Sequence, residues 1–89
     1  MTNPLSDLPS LQRRQHILKL VSRIAGVQVN ELKPDVLIRE ELGIDSLKAL
    51  EIVARIEKDL SILINEGQLL SVRTVEHFIN LIERNYTDQ

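Results

Sequence analysis

Residues 40–57 read EELGIDSLKALEIVARIE: a turn containing Gly43 leads through one serine, Ser46, into a long periodic stretch. Beyond the serine, Ala49, Leu50, Ile52, Val53 and Ile56 supply an apolar face. Lys48, Glu51, Arg55 and Lys58 recur at helical spacing on the other side. The pattern predicts a helix from Ser46 to about Leu60, half in the core and half in water. A serine at its start has an ordinary structural use, as an N-cap that satisfies an orphan first-turn amide.

Working outward, Leu11, Ile17, Leu18, Val21, Ile24 and Ala25 recur at three- and four-residue steps and predict an amphipathic helix that starts near Leu8 and ends about Gly26. Ser6 or Asp7 is the expected cap, with Pro9 in the opening turn. Residues 27–45 hold Pro34 and Gly43 and sustain no helical period. They read as a long loop pinned to the core by Val27, Val29, Leu32, Val36, Leu37, Ile38, Leu42 and Ile44, and such a length in a small domain points to function. After residues 61–67, SILINEG, a short turn of helix is expected around Gln68 to Leu70. Thr74 then caps a last helix with Val75, Phe78, Ile79 and Ile82 inward. The expected architecture is all-α, a small four-helix bundle of three main helices and a short third one. Its core is Leu18, Val21, Ile24, Leu42, Leu50, Val53, Ile56, Ile64, Val75, Phe78, Ile79 and Ile82. Residues 1–7 form an N-terminal arm, 8–85 one domain and 86–89 a frayed end. The Met1 start with a short arm suggests a free-standing chain.

Composition narrows the function. At 89 residues the chain builds one modest core and no deep second layer, which disfavours elaborate catalysis. It has no cysteine, so disulfides, thiolate metal sites and a cysteine nucleophile are excluded. The formal charge is −2 with both signs scattered, which gives no basic footprint for nucleic acid. No apolar run approaches the ~20 residues a membrane span requires, and the start lacks the order of a signal peptide. A cytoplasmic monomer without membrane or nucleic-acid partners is expected. His16 and His77 each sit among charged residues in helical segments, as surface or boundary histidines do, and GIDSL is not a G-x-S-x-G elbow. Ser46 therefore does not read as a hydrolase nucleophile. A further reading is covalent decoration: a phosphate on a hydroxyl at a helix start lies where the helix dipole favours negative charge.

The stretch LGIDSLKALEIVARIE, residues 42–57, resembles the prosthetic-group attachment signature of the acyl carrier protein family, in which L-G-x-D-S-L opens the second helix. Residues 31–43, ELKPDVLIREELG, the ILI ending at Ile64, and residues 72–83, VRTVEHFINLIE, fall in the family's order and approximate spacing, so the likeness spans most of residues 8–85. It implies that Ser46 accepts 4′-phosphopantetheine from coenzyme A through a separate phosphopantetheinyl transferase, and that the arm's thiol carries acyl groups as thioesters. The chain is then a carrier that does no catalysis itself, and the reactive sulfur arrives with the cofactor. By the same resemblance Asp45 is the acidic motif position and Leu47 a position that meets partner enzymes, although a core role for Leu47 is equally open. Lys48, Leu50, Glu51, Ala54, Arg55 and Lys58 lie on or beside the arm-bearing face as interface candidates, with solvated helix surface as the plain alternative for the charged ones. Gly43 suits a left-handed turn into the helix.

Two departures stand out. The family's fatty-acid members are strongly acidic along this helix, whereas here Lys48, Arg55 and Lys58 offset Glu51, Glu57 and Asp59. Complementary charge sets partner choice and encounter rate, so a dedicated polyketide or mixed polyketide–peptide pathway is expected, with acyl-transferring, ketosynthase-type or condensation-type partners. Asn65 stands where many relatives have proline, which puts the rigidity of that loop in question. The alternatives are a peptidyl or aminoacyl carrier, and a helical adaptor that is never modified.

Overall fold

The computed structural model describes residues 7–87. Its helices are α1, Ser10–Ala25; α2, Ser46–Leu60; α3, Glu66–Leu69; and α4, Val75–Thr87. The all-α architecture with a short third helix agrees with the sequence reading.

Helix α1 begins later than expected. Pro9 takes the N-cap position in an extended conformation with no side-chain cap hydrogen bond, so Asp7 is not the cap, and Ser6 lies outside the described residues. The physical reason is the proline, whose ring disfavours helical backbone in the residue before it and defers nucleation to Ser10. The other end is as expected: Gly26 turns left-handed at φ 74 and its amide reaches the Ser22 carbonyl. The inward stripe of α1 runs Arg13, Ile17, Leu20 and Val21, with Leu18, Ile24 and Ala25 half-buried against it. Leu11, expected inward, is 67% exposed because Arg13 holds the inward position four residues before Ile17.

Helix α2 buries Ile52, Val53, Ile56 and Leu60. Leu50, assigned to the core from sequence, is 43% exposed. It lies six residues before Ile56, about 120° away around the helix axis, and so faces the rim of a surface cleft. The helix ends at Ser61 in a left-handed conformation, after which Ile62 and Ile64 turn inward and Leu63 outward. Glu57 secures this exit by accepting a hydrogen bond from the Ile64 amide at 2.9 Å.

The loop before α2 is strapped down. Leu32 and Ile44 are buried, Val36, Ile38 and Leu42 half-buried, and Val29, expected as a pin, is exposed within a single turn of 3-10 helix at Val29–Glu31. Backbone pairing ties the loop to the chain just ahead of α4: Leu37 bridges Thr74, the Ile38 amide reaches the Arg73 carbonyl at 2.9 Å, and the Val75 amide reaches the Val36 carbonyl at 2.9 Å.

Asn65 secures the start of α3 with its side chain. Its Oδ1 accepts the Gly67 amide at 2.9 Å and caps α3, which lies a residue or two earlier than the sequence suggests. Thr74 caps α4 as expected, accepting from the His77 amide at 3.1 Å, while His77 Nδ1 faces the Arg73 and Thr74 amides in return. Helix α4 buries Val75, Phe78, Ile79, Leu81 and Ile82 and runs on to Thr87, past the point where the sequence predicts fraying. Arg13 explains the extension. Its guanidinium stacks 3.8 Å from the Tyr86 ring centroid and makes two 2.8 Å bonds to Glu83.

Candidate functional site

The site is built by the loop that delivers the chain into α2. Gly43 adopts φ 67, a left-handed turn, and its amide bonds back to the Arg39 carbonyl at 3.1 Å. Ile44 then drops into the core with its amide on the Ile38 carbonyl at 3.2 Å, which leaves Asp45 and Ser46 at the surface as α2 starts. Asp45 is the N-cap: its Oδ1 accepts the Lys48 amide at 2.9 Å. Ser46, expected in that role, is the first helical residue instead. With the neighbouring carboxylate already on the orphan amide, its hydroxyl is spare.

That hydroxyl is exposed, and Arg39 Nη2 donates to Ser46 Oγ at 3.2 Å. Arg39 is the residue that sequence reasoning missed. It stands seven places before the serine in a stretch without periodicity, and only the Gly43 turn folds it back. A cleft of about 730 Å³ opens beside the serine between α2 and α3. Ile38, Leu50, Leu69 and Val72 form apolar walls, and Arg39 and Arg73 bring cations to the rim.

The interface candidates Leu47, Lys48, Leu50, Glu51, Ala54, Arg55 and Lys58 are all exposed and share an arc of about 160° on α2. Leu47 is 78% exposed, which resolves its role against the core. The charges along α2 differ in their freedom. Glu57 is occupied by the Ile64 amide, and Asp59 by His16 at 2.8 Å and Arg55 at 3.4 Å, both half-buried. Among the exposed residues of the helix the charged side chains are Lys48, Arg55 and Lys58 with Glu51, and Arg55 is the one that pairs with Asp59.

Neither imidazole is set to activate the serine. His16 is tied to Asp59, thirteen residues along α2 from Ser46 and about 20 Å down the axis. His77 is engaged with the backbone amides that open α4. Among the described residues no cluster of His, Asp or Glu suits a metal ion, and no helix is long and apolar enough to cross a membrane.

A family model described as the phosphopantetheine attachment site matches residues 15–82. An acyl carrier protein of Phytoplasma australiense is 34% identical over 73 residues, covering 74% of this chain and 96% of that one. An acyl carrier protein of Rickettsia bellii is 27% identical over 71 residues, covering 80% and 88% respectively. Polyketide-8 synthase acyl carrier protein 2 of Streptomyces avermitilis is 29% identical over 75 residues, covering 84% and 86%. With the serine at the exposed head of α2, and with the family model spanning most of the molecule, the chain belongs to the acyl carrier protein family, whose prosthetic group is 4′-phosphopantetheine.

Proposed function

We propose that Ser46 is the attachment point of the phosphopantetheine arm and that residues 8–85 are the carrier domain. The observation that carries this reading is the exposed Ser46 hydroxyl, left out of helix capping by Asp45 and met by the Arg39 guanidinium. The residues fit the group: a hydroxyl for the ester bond, an arginine for the phosphate, the positive end of the α2 dipole, and a cleft alongside. When bound, the group supplies a thiol that holds an acyl chain as a thioester. The chain's own part is to present the arm on a rigid helix start, which gives the cargo a high effective concentration at a docked enzyme. Asp45 sets the start of the helix, and Leu47 offers an apolar contact beside the anchor.

The pathway reading rests on charge. The exposed face of α2 is suited to acidic docking surfaces and poorly suited to enzymes that hold any acidic carrier on a basic patch. We read from this a dedicated polyketide or mixed polyketide–peptide route with ketosynthase-type or condensation-type partners; a polyketide synthase carrier is among the relatives, beside acyl carrier proteins whose names specify no pathway. Incubation with coenzyme A and a promiscuous phosphopantetheinyl transferase tests the anchor. Wild type gains the mass of one phosphopantetheinyl group and Ser46→Ala gains none. A mass gain by the alanine variant would falsify the assignment. An unloaded wild type points instead to an adaptor that binds partners without modification.

A further inference from the structure

We infer that Arg39 is a phosphate clamp: a positioning residue that binds the phosphodiester at the root of the arm and ties it to the loop ahead of α2. The inference rests on Ser46 being the attachment point and goes beyond it, because attachment alone requires only an exposed hydroxyl. Three observations carry it. First, Arg39 Nη2 already lies 3.2 Å from Ser46 Oγ, the atom that becomes the ester oxygen. A phosphate joined there brings its charged oxygens two bonds away from an atom the guanidinium touches. Second, among the described residues Arg39 makes no ion pair, although Glu40, Glu41 and Asp45 are close in sequence. The last two are occupied, Glu41 by the Leu37 amide at 2.6 Å and Asp45 by the Lys48 amide at 2.9 Å. The arginine therefore has donors to spare, in a planar fork suited to phosphate. Third, its backbone is held. The Arg39 carbonyl accepts the Gly43 amide, and Ile38 on one side is strapped to Arg73. A clamp mounted on a fixed loop restricts the arm's root; a clamp on a loose loop would move with it.

Before modification the contact is an exposed bond to a neutral hydroxyl and contributes little. Phosphate turns it into a charge-assisted bond, which is stronger. It also offsets the repulsion between the new phosphate and the Asp45 carboxylate on the same turn. In effect the arm pivots from a point fixed to two segments, where Ser46 alone would leave its first torsions free.

The experiment compares wild type, Arg39→Gln and Arg39→Lys, each loaded to completion by intact mass and confirmed folded by helicity. In wild type the Arg39 Nε–Hε resonance moves on loading, and the phosphorus resonance of the diester moves between low salt and ~1 M sodium chloride, since salt screens an exposed pair. Arg39→Gln removes the salt response, and Arg39→Lys keeps part of it, because an ammonium supplies charge without the fork. The wild-type arginine resonance decides the matter even if a variant loads poorly: no movement on loading overturns the clamp. The same salt response in wild type and Arg39→Gln also overturns it while leaving Ser46 as the anchor. Loading of Ser46→Ala, by contrast, removes the attachment reading and the clamp together.

Discussion

Asp45 and Ser46 are both good capping residues, and the sequence places them side by side. Which one caps depends on where the backbone leaves the left-handed turn at Gly43, and that is fixed by Ile44 seeking the core, a tertiary event. This is why the sequence reveals a helix start here but assigns the cap one residue late. The division has a measurable consequence. Asp45→Ala removes the hydrogen bond to the Lys48 amide and is expected to cost about 0.5–2 kcal/mol in urea unfolding. Ser46→Ala, at an exposed position that caps nothing, is expected to stay within about 0.5 kcal/mol of wild type. If the two losses came out in the reverse order, the serine would be the cap after all.

Helices α1 and α4 are joined by ion pairs as well as by packing: Arg13 with Glu83 at 2.8 Å and Arg14 with Glu76 at 2.9 Å. The hydrogen bonds from Arg13 hold the Glu83 carboxyl below the ordinary carboxylate range, against the opposing effect of burial, and Arg14 does the same for Glu76. A folded-state pKa below the unfolded one means that the unfolded chain takes up the proton first. The stability from the pair is therefore complete above the ordinary glutamate value of about 4.3 and is lost as pH falls through it toward the lower folded value. Glu83→Gln is expected to melt below wild type at neutral pH, with the gap closing as the solution is acidified below that point. A gap that is constant with pH would mean the glutamine acts through packing alone. The helices themselves are legible in the sequence, since the period and the Thr74 cap of α4 are local signals. The clasp is not. Arg13 is a charged residue between the apolar positions Leu11 and Ile17, and the partner that makes its burial tolerable is 70 residues away.

Over the whole molecule, the core is legible where apolar residues repeat within a helix. It is obscured where single residues from irregular segments complete it. Val53, Ile56, Phe78, Ile79 and Ile82 are buried as expected, and Leu32 and Ile44 pin their loop as expected, whereas Val29 is exposed and Ile62 is buried by the path of the chain after α2. Phe78 is buried among the helices and also reaches the cleft beside the serine. Its truncation to alanine is expected to cost about 3–5 kcal/mol, on the scale of the whole stability of a small domain, and to abolish the cooperative thermal transition. On the exposed arc of α2, Lys58→Glu is expected to slow acyl transfer with enzymes that dock through acidic faces and weaken the salt dependence of that transfer. With enzymes that dock through basic faces it should leave rates equal or higher. Equal rates for both proteins with both enzyme classes would reduce the charges of α2 to a solvated surface. The Leu37–Thr74 bridge bears on a different matter, how far along the chain the surroundings of the serine are written. Arg73, Thr74 and Val75 come well after Ser46, yet they strap the loop that delivers it. Without that segment, the turn that aims Arg39 at the hydroxyl lacks its support. The surface around the serine is thus encoded in two distant parts of the chain, and a fragment cut before residue 74 carries the motif in sequence without the shape.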